Sequence, residues 1–172
     1  MRPWVINQLI IASMLIFLVA HTNAGDADPS LPEAEDFAML ALQSNQQKLP
    51  ILIMYAAQTC EYCERLEDEI LGPMYKSGQF NNRVIIRKVM IDGIASIRDF
   101  NGNVVDADNF AYKRGVEVTP TLQFVDASGK QLAPEMIGYN TPEFYAGYIE
   151  NAIDKSRQVI ESARSANQYL PQ

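Results

Sequence analysis

The sequence Cys60-Glu61-Tyr62-Cys63 places the chain's only two cysteines where a buried strand is expected to give way to a helix. The run before it, residues 50–57, is continuously apolar, which is typical of a strand covered on both faces. The segment after it, residues 60–71, has Cys63, Leu66, Ile70 and Leu71 on one helical face. Gly72-Pro73 is expected to end or kink this helix, because proline lacks a backbone N–H.

Two cysteines at this position have a clear chemical use. As a structural bridge they would close only a four-residue loop, which removes little entropy from the unfolded chain. Cys60, at the helix N-terminus, faces unpaired N–H groups and the positive end of the helix dipole, and both stabilise a thiolate. Cys63, one turn further on, can attack the mixed disulfide that such a thiolate forms. The pair therefore predicts redox chemistry in preference to a structural or metal-binding role.

The rest of the sequence predicts a single α/β domain. Apolar spacing predicts a helix that ends near Asn45, with Glu33, Glu35 and Asp36 in its first turn, where the helix dipole favours acids. The later elements are a strand at 83–92, an irregular stretch at 93–103 with a turn at 101–102, a helix at 106–114, two strands at 121–126 and 131–137 joined by a turn at 127–130, and a helix that begins at 141–143 and frays beyond residue 155. Phe144, Tyr145 and Tyr148 in this last helix are expected to pack in the core.

The order of these motifs resembles the thioredoxin-like superfamily from about residue 51 to residue 153. An apolar strand, the paired cysteines opening a helix, a strand at 84–91 and Val118-Thr119-Pro120-Thr121 follow one another as in that family, and Gly138-Tyr139 resembles its last turn. The resemblance implies a central mixed sheet of four to five strands flanked by helices. It also implies a cis peptide bond before Pro120, with Thr119 offering backbone hydrogen bonds to an extended substrate. The chain is similar to exported Sox-type thioredoxins and to the catalytic domain of disulfide isomerases.

Several residues depart from the thioredoxin pattern. Thr59 stands where thioredoxin has tryptophan, and Glu61-Tyr62 stands where it has Gly-Pro. Met54 occupies the strand position of a buried aspartate that assists proton transfer in thioredoxin, so a water or another carboxylate has to serve. The dimerisation domain that precedes the isomerase catalytic domain has no counterpart between residue 24 and the strand at Ile51, and we therefore expect a monomer.

Charge bears on the partners and on the direction of the redox reaction. The chain has 14 Lys+Arg against 21 Asp+Glu and a formal net charge of -7, which argues against a nucleic-acid partner. Five acids follow Cys60, offset by Arg65 alone: Glu61, Glu64, Glu67, Asp68 and Glu69. Negative charge disfavours the Cys60 thiolate, whereas strong oxidants have an unusually stable thiolate. We expect a reductase or isomerase, with Thr59, Glu61, Tyr62 and Glu64 tuning the potential.

The N-terminus has the features of an export signal. Arg2 precedes an apolar run at 9–20, and Thr22-Asn23-Ala24 supplies small residues for cleavage after Ala24. We divide the chain into a signal peptide at 1–24, an N-terminal segment and first helix at 25–48, a thioredoxin-like domain at 49–160 and a polar tail at 161–172. The protein is then exported, and periplasmic if the cell is Gram-negative. Cleavage removes His21, the only histidine, which excludes histidine-based catalysis and histidine-ligated metals.

These observations predict a thiol-disulfide oxidoreductase that uses Cys60 and Cys63, with no metal and no cofactor beyond its own redox-active disulfide. The expected substrates are disulfide-containing exported proteins, and the expected electron donor is a membrane thiol protein. Two alternatives remain open: a non-catalytic binding or chaperone module of the same fold, and a dithiol protein that handles Cu(I). The segment 93–105 is a candidate partner-facing surface.

Overall fold

The computed structural model describes residues 30–168, so the predicted signal peptide lies outside the described residues. The helices are α1 (Phe37–Gln47), α2 (Glu61–Leu66), α3 (Gly72–Lys76), α4 (Ala107–Lys113) and α5 (Pro142–Gln168), and a π-helical turn (Glu67–Leu71) joins α2 to α3. The strands are β1 (Ile51–Ala56), β2 (Ile85–Met90), β3 (Ser96–Arg98), β4 (Val104–Asp106), β5 (Thr121–Val125) and β6 (Met136–Ile137). No helix in this part of the chain is long and apolar enough to cross a membrane.

Four strands form a mixed sheet in the order β2-β1-β5-β6. β1 pairs with β2 in parallel and with β5 antiparallel, and β6 pairs antiparallel with β5. Every residue of β1 is buried, as its continuous apolar run predicts for a central strand. The predicted fold, a mixed sheet flanked by helices, is confirmed.

The sheet separates two hydrophobic cores, because successive side chains of a strand point to opposite faces. Leu52, Met54 and Ala56 pack with α2 and α5. Ile51, Ile53 and Tyr55 pack with α1 and α4. The cysteine pair belongs to the first of these cores, since Cys63 is one of its members and Cys60 packs against its edge.

The start of α1 differs from the expectation. The helix begins at Phe37, and Asp36 is its N-cap, with Oδ1 accepting the Met39 N–H at 2.9 Å. Glu33 precedes the helix and forms a parallel bridge with Lys88 of β2. The prediction of Glu33, Glu35 and Asp36 in the first turn is wrong, because their backbone lies in or beside this bridged segment.

The helix after the cysteines does not end at Gly72-Pro73. The π-helical turn widens it, with the Gly72 N–H donating to the Glu67 carbonyl, and α3 continues through Pro73. The predicted end of the helix is therefore wrong, and the helix continues through a π-helical turn and a proline, both of which are ordinary causes of a kink.

Three further predictions need correction. The stretch at 93–103 is only partly irregular, because β3 lies within it and pairs antiparallel with β4, which follows it. The strand predicted at 131–137 is reduced to β6 and a single bridge from Gln131 to Val125, since Pro134 interrupts the pairing. The last helix continues to Gln168 instead of fraying beyond Lys155, and an Arg157–Glu161 ion pair at 3.7 Å supports the extension.

The aromatic residues of α5 are only partly in the core. Tyr145 is buried, whereas Phe144 and Tyr148 are 63% and 51% exposed. The prediction that all three pack in the core is therefore wrong for two of them. Tyr145 and Ile149, four residues apart, mark the helix face that meets the sheet.

Candidate functional site

The cysteine pair lies at the junction of β1 and α2. Cys60 is the N-cap of α2, in an extended conformation, and the Cys63 N–H donates to Cys60 Sγ at 3.2 Å. The two sulfurs form a disulfide, with the Cα atoms 5.2 Å apart. An N–H aimed at the first sulfur is a group that stabilises negative charge on it once the bond is reduced.

The two cysteines differ in exposure. Cys60 is partly exposed, whereas Cys63 is only 3% exposed. A substrate disulfide can therefore approach the first sulfur and not the second. The neighbouring motif residues Thr59, Glu61, Tyr62 and Glu64 are all exposed, and Tyr62 is the large apolar one among them at 57%.

Thr119 and Pro120 lie at the same end of the sheet as the cysteines. Tyr55 pairs with Thr121, so the residues just before β5 stand beside the end of β1 from which the chain runs to Cys60. The Thr119–Pro120 peptide bond is cis. The Pro120 carbonyl accepts the Gly138 N–H at 2.8 Å, and Thr121 Oγ1 donates to the Val118 carbonyl at 2.8 Å. The loop is thus held from both sides, with Pro120 buried and Thr119 half-buried.

A near-buried ion pair underlies the cysteine helix. Lys88 Nζ lies 3.1 and 3.0 Å from the two carboxylate oxygens of Glu67, and both side chains are about nine-tenths buried, at 11% and 12% exposed. Glu67 Oε1 also accepts the Leu31 N–H. Lys88 pairs in register with the fully buried Met54, the residue that replaces the thioredoxin aspartate. A buried carboxylate is therefore present here, supplied by the helix instead of the strand.

Glu67 is placed close to Cys63 by the helix. It follows Cys63 by four residues, its backbone N–H donates to the Cys63 carbonyl, and residues at this spacing lie on one helix face. The expectation that Arg65 alone offsets the acidic run is wrong, because Lys88 neutralises Glu67 from β2. A lysine inside the apolar strand 83–92 was the available sequence signal, since an unpaired lysine is almost never buried.

A second cluster joins the cysteine helix to the Gly138-Tyr139 turn. Tyr139 Oη donates to Glu69 Oε2 at 2.6 Å, and Arg65 Nε donates to Glu69 Oε1 at 3.0 Å. The Arg65 guanidinium also lies 5.4 Å from the centre of the Tyr139 ring. Tyr145 Oη donates to the Gly138 carbonyl at 2.6 Å, which fixes the turn to α5. Sequence reasoning found the turn but not its partner on the helix.

Electrostatics in this cluster follow from its contacts. Desolvation, aided by the hydrogen bond to Glu69, raises the pKa of Tyr139 to about 12. Hydrogen bonds from Tyr139 and from Arg65 lower the pKa of the Glu69 carboxyl. Glu69 is therefore a carboxylate at neutral pH, and its two oxygens are bonded to Arg65 and to the Tyr139 hydroxyl.

No metal-holding group of three or more His, Cys, Asp or Glu side chains occurs among residues 30–168. Thioredoxin-fold proteins generally act without a cofactor, and the redox-active group of this site is the Cys60–Cys63 disulfide itself. The arrangement can exchange that disulfide with a dithiol that reaches Cys60.

Comparisons with known proteins agree with this geometry. A family model described as a thioredoxin-like domain matches residues 37–153, more than half of the chain. The solved structure of a DsbH oxidoreductase superposes with a TM-score of 0.52 at 20% identity, covering 73% of this chain and 86% of that chain. Oxidised thioredoxin O2 from Arabidopsis thaliana has a TM-score of 0.48 at 21% identity, covering 72% of this chain and 94% of that chain. The search of curated protein sequences returned no match.

Proposed function

The chain belongs to the thioredoxin-like domain family, and from that premise we propose that it reduces or isomerises disulfide bonds in exported proteins. The fold and the cysteine pair together support a thiol-disulfide oxidoreductase. The observation that carries the proposal is the asymmetry of the pair, with Cys60 accessible at a helix N-terminus and Cys63 sheltered behind it. That asymmetry suits an attacking and a resolving thiol.

The exchange conserves atoms and electrons. In the reduced protein the Cys60 thiolate attacks one sulfur of a substrate disulfide, and the other substrate sulfur leaves as a thiolate that takes up a proton. Cys63 then loses its proton and attacks Cys60 Sγ, which releases the second substrate thiol and leaves the Cys60–Cys63 disulfide. The substrate gains two electrons from the protein and two protons, one released by Cys63 and one that Cys60 released to the solvent when its thiol ionised. We assign Thr119 and Pro120 to the surface along which the substrate backbone docks.

Glu67 is the carboxylate best placed to take the proton from Cys63. It lies one helical turn from that cysteine and is nine-tenths buried, and we propose that water carries the proton between the two groups. It would perform the task for which thioredoxin uses an aspartate at the position of Met54. Lys88 holds the Glu67 carboxylate in place and is a positioning residue in this scheme.

The direction of the reaction follows from the charges that stay unpaired. Glu61 and Glu64 lie in the first turn of α2 and have no ion-pair partner among residues 30–168. They oppose the stabilisation of the Cys60 thiolate by the helix N-terminus. We therefore place the protein toward the reducing end, nearer to thioredoxin at about -270 mV than to DsbA at about -120 mV.

Cellular context completes the proposal. We infer that the signal at residues 1–24 directs export, to the periplasm if the cell is Gram-negative, and that the protein acts there as a monomer on disulfide-containing exported proteins. Each turnover leaves an oxidised pair, so a membrane dithiol protein has to return two electrons to it. Nucleic acid is not among the proposed partners.

Covalent trapping tests the proposal. The variant Cys63→Ser retains the attacking thiol and lacks the resolving one, so we expect it to hold substrate proteins through Cys60 as mixed disulfides that mass spectrometry identifies. Cys60→Ser/Cys63→Ser is the matched control and should hold none. The wild-type protein should also accelerate the reduction of insulin by dithiothreitol, and equilibration with glutathione should give a potential below about -160 mV.

Two results would contradict it. A protein that traps no partner and leaves insulin untouched would be the binding or chaperone module instead. A protein whose reduced pair binds Cu(I) tightly and does not exchange disulfides would be the metal-handling alternative.

A further inference from the structure

A pocket of about 420 Å³ lies at the end of the sheet away from the cysteine pair. Its lining comes from the C-terminal end of α1, the turn that follows β5 and residues 159–164 of α5. Cys60 comes after Ala56, the last residue of β1. The pocket lies beside the segment that precedes Ile51, the first residue of that strand. The two sites therefore lie at opposite ends of the central strand, and the function of the pocket does not depend on the redox proposal.

The pocket has an excess of positive charge. Lys48, Lys130 and Arg164 line it, and among residues 30–168 none of their side chains has an ion-pair or hydrogen-bond partner. Asp126 is the one acid in the lining, and its Oδ1 accepts hydrogen bonds from the Ser128 N–H, from Ser128 Oγ and from the Lys130 N–H. Three cations thus face one carboxylate that is already engaged, in a chain whose formal net charge is -7.

The backbone at Lys48 supports a use for its side chain. Lys48 follows α1 with φ 60° and ψ 39°, the left-handed conformation that glycine adopts without penalty and other residues adopt at a cost. Lysine therefore stands at a position where glycine would be unstrained, and its ammonium group is available to the pocket. The helix dipole also favours a cation at this C-terminus, so the same residue serves the helix and the pocket. Such backbone outliers are found preferentially at functional positions.

The apolar wall of the pocket comes from the extension of α5. Up to residue 166, Ser156 is the last buried residue on this helix, and the family match ends at residue 153. Val159, Ile160 and Ala163 lie beyond both points and line the pocket together with Leu132. Val159 is 43% exposed, so core packing does not account for this wall. One wall of the pocket therefore lies beyond the part of the chain that matches the family.

We propose that this pocket binds a free anionic amphiphile, a carboxylate or phosphate group on a medium-length alkyl chain. The three cations receive the head group, and the α5 extension covers the chain. The volume of about 420 Å³ lies within the range of small-molecule sites. We take decanoate, a carboxylate on a medium-length alkyl chain, as the probe.

Titration with sodium decanoate tests the proposal. Isothermal calorimetry of the full chain should give saturable binding with one site and Kd below about 1 mM. Decanol, which has the same chain without the charge, and acetate, which has the charge without the chain, should each bind at least tenfold more weakly. Raising the salt concentration should weaken decanoate binding, because the attraction is partly electrostatic.

Matched variants separate the pocket from general surface charge. Lys48→Gln/Lys130→Gln/Arg164→Gln should weaken decanoate binding by at least tenfold. Lys76→Gln/Lys113→Gln/Lys155→Gln removes the same charge outside the pocket and should change Kd less than twofold. Both variants should unfold in urea at a midpoint close to that of the wild type, which checks that they fold. If the pocket variant does not fold, Lys130→Gln and Arg164→Gln alone should each weaken binding about threefold.

Three results would overturn the proposal. The first is the absence of saturable decanoate binding up to millimolar concentration. The second is an equal loss of affinity in the pocket variant and in its charge-matched control. The third is binding to phosphatidylglycerol vesicles without binding of free decanoate, which would make the basic residues a site for a lipid surface and not for a free amphiphile.

Discussion

Glu67 and Glu69 lie two residues apart in the segment after the cysteine pair, and their carboxylates have different surroundings. Glu67 is nine-tenths buried between Lys88 of β2 and the N–H of Leu31. Glu69 is 43% exposed and meets Arg65 on its own helix and the hydroxyl of Tyr139. In the sequence both look like members of one acidic run. The difference teaches that the strand packed against the helix, and not the helix itself, determines which carboxylate is buried and paired.

Loss of Lys88 should have the largest effect on stability. Lys88→Met leaves the Glu67 carboxylate buried without its cation, which typically costs about 3–5 kcal/mol. Arg65→Met, the matched change at Glu69, should cost less than about 1 kcal/mol because that ion pair is half-exposed. Urea unfolding at pH 7 measures both. If both variants lost the same free energy of unfolding, burial would not make an unpaired Glu67 carboxylate more costly than an unpaired Glu69 carboxylate.

Removing both partners of the buried pair should recover much of that loss. Glu67→Leu/Lys88→Met contains no uncompensated buried charge, and apolar replacement of a buried pair is often close to neutral. We expect the free energy of unfolding of the double variant to be at least about 2 kcal/mol higher than that of Lys88→Met alone. Leu31 loses its acceptor in both Glu67→Leu variants, so a full double-mutant cycle with Glu67→Leu isolates the pair. A double variant no more stable than Lys88→Met would contradict the assignment of the cost to an unpaired charge.

The third test concerns chemistry. If Glu67 accepts the proton of Cys63, Glu67→Gln should slow single-turnover insulin reduction by the prereduced protein about tenfold at pH 7, which is below the roughly 10²–10⁴-fold typical of general-base catalysis. The deficit should shrink as the pH rises from 7 to 9, since a thiol ionises without help in alkaline solution.

Glu69→Gln is the control for that experiment, because it removes a second carboxylate of the same acidic run. It should leave the rate within about twofold at every pH. A Glu67→Gln deficit that stays constant across the pH range would indicate a structural role for Glu67 and would remove it from the proton-transfer scheme.

Parts of this site were predictable from local patterns, and parts were not. The continuous apolar run of β1, the cysteine pair at the helix start and the Thr119-Pro120 dipeptide are local signals, so the sequence predicts the sheet and the residues around it. The Glu67–Lys88 pair joins residues 21 apart and depends on β2 lying under the helix. The Glu69–Tyr139 contact spans 70 residues. Neither could follow from spacing, because only the tertiary arrangement brings these groups together.

The extension of α5 was missed for a different reason. Apolar spacing predicts only helix that is buried, whereas residues 161–166 are exposed and owe their helicity to good helix formers and to a charge pair. For the same reason the exposed Phe144 and Tyr148 were misassigned to the core, since helical spacing alone does not tell which face of a helix is covered.

The smallest expected effect concerns the hydroxyl of Tyr139. Tyr139→Phe keeps the ring and its contact with Arg65 but removes the hydrogen bond to Glu69, at a cost of about 1 kcal/mol at pH 7.

Burial and this bond raise the pKa of Tyr139 to about 12 in the folded protein, against about 10 in the unfolded chain. The folded state therefore holds the proton where the unfolded state has lost it. The stability that Tyr139 contributes is complete below pH 10 and decreases as the pH rises toward 12. Urea unfolding at pH 7, 9 and 11 should show the wild type losing stability faster than Tyr139→Phe, and Tyr112→Phe, at a tyrosine that is 76% exposed, is the control for general alkaline effects. If the free energies of unfolding of wild type and Tyr139→Phe differed by a constant amount across this range, the Tyr139 hydroxyl would have the same pKa in the folded protein as in the unfolded chain.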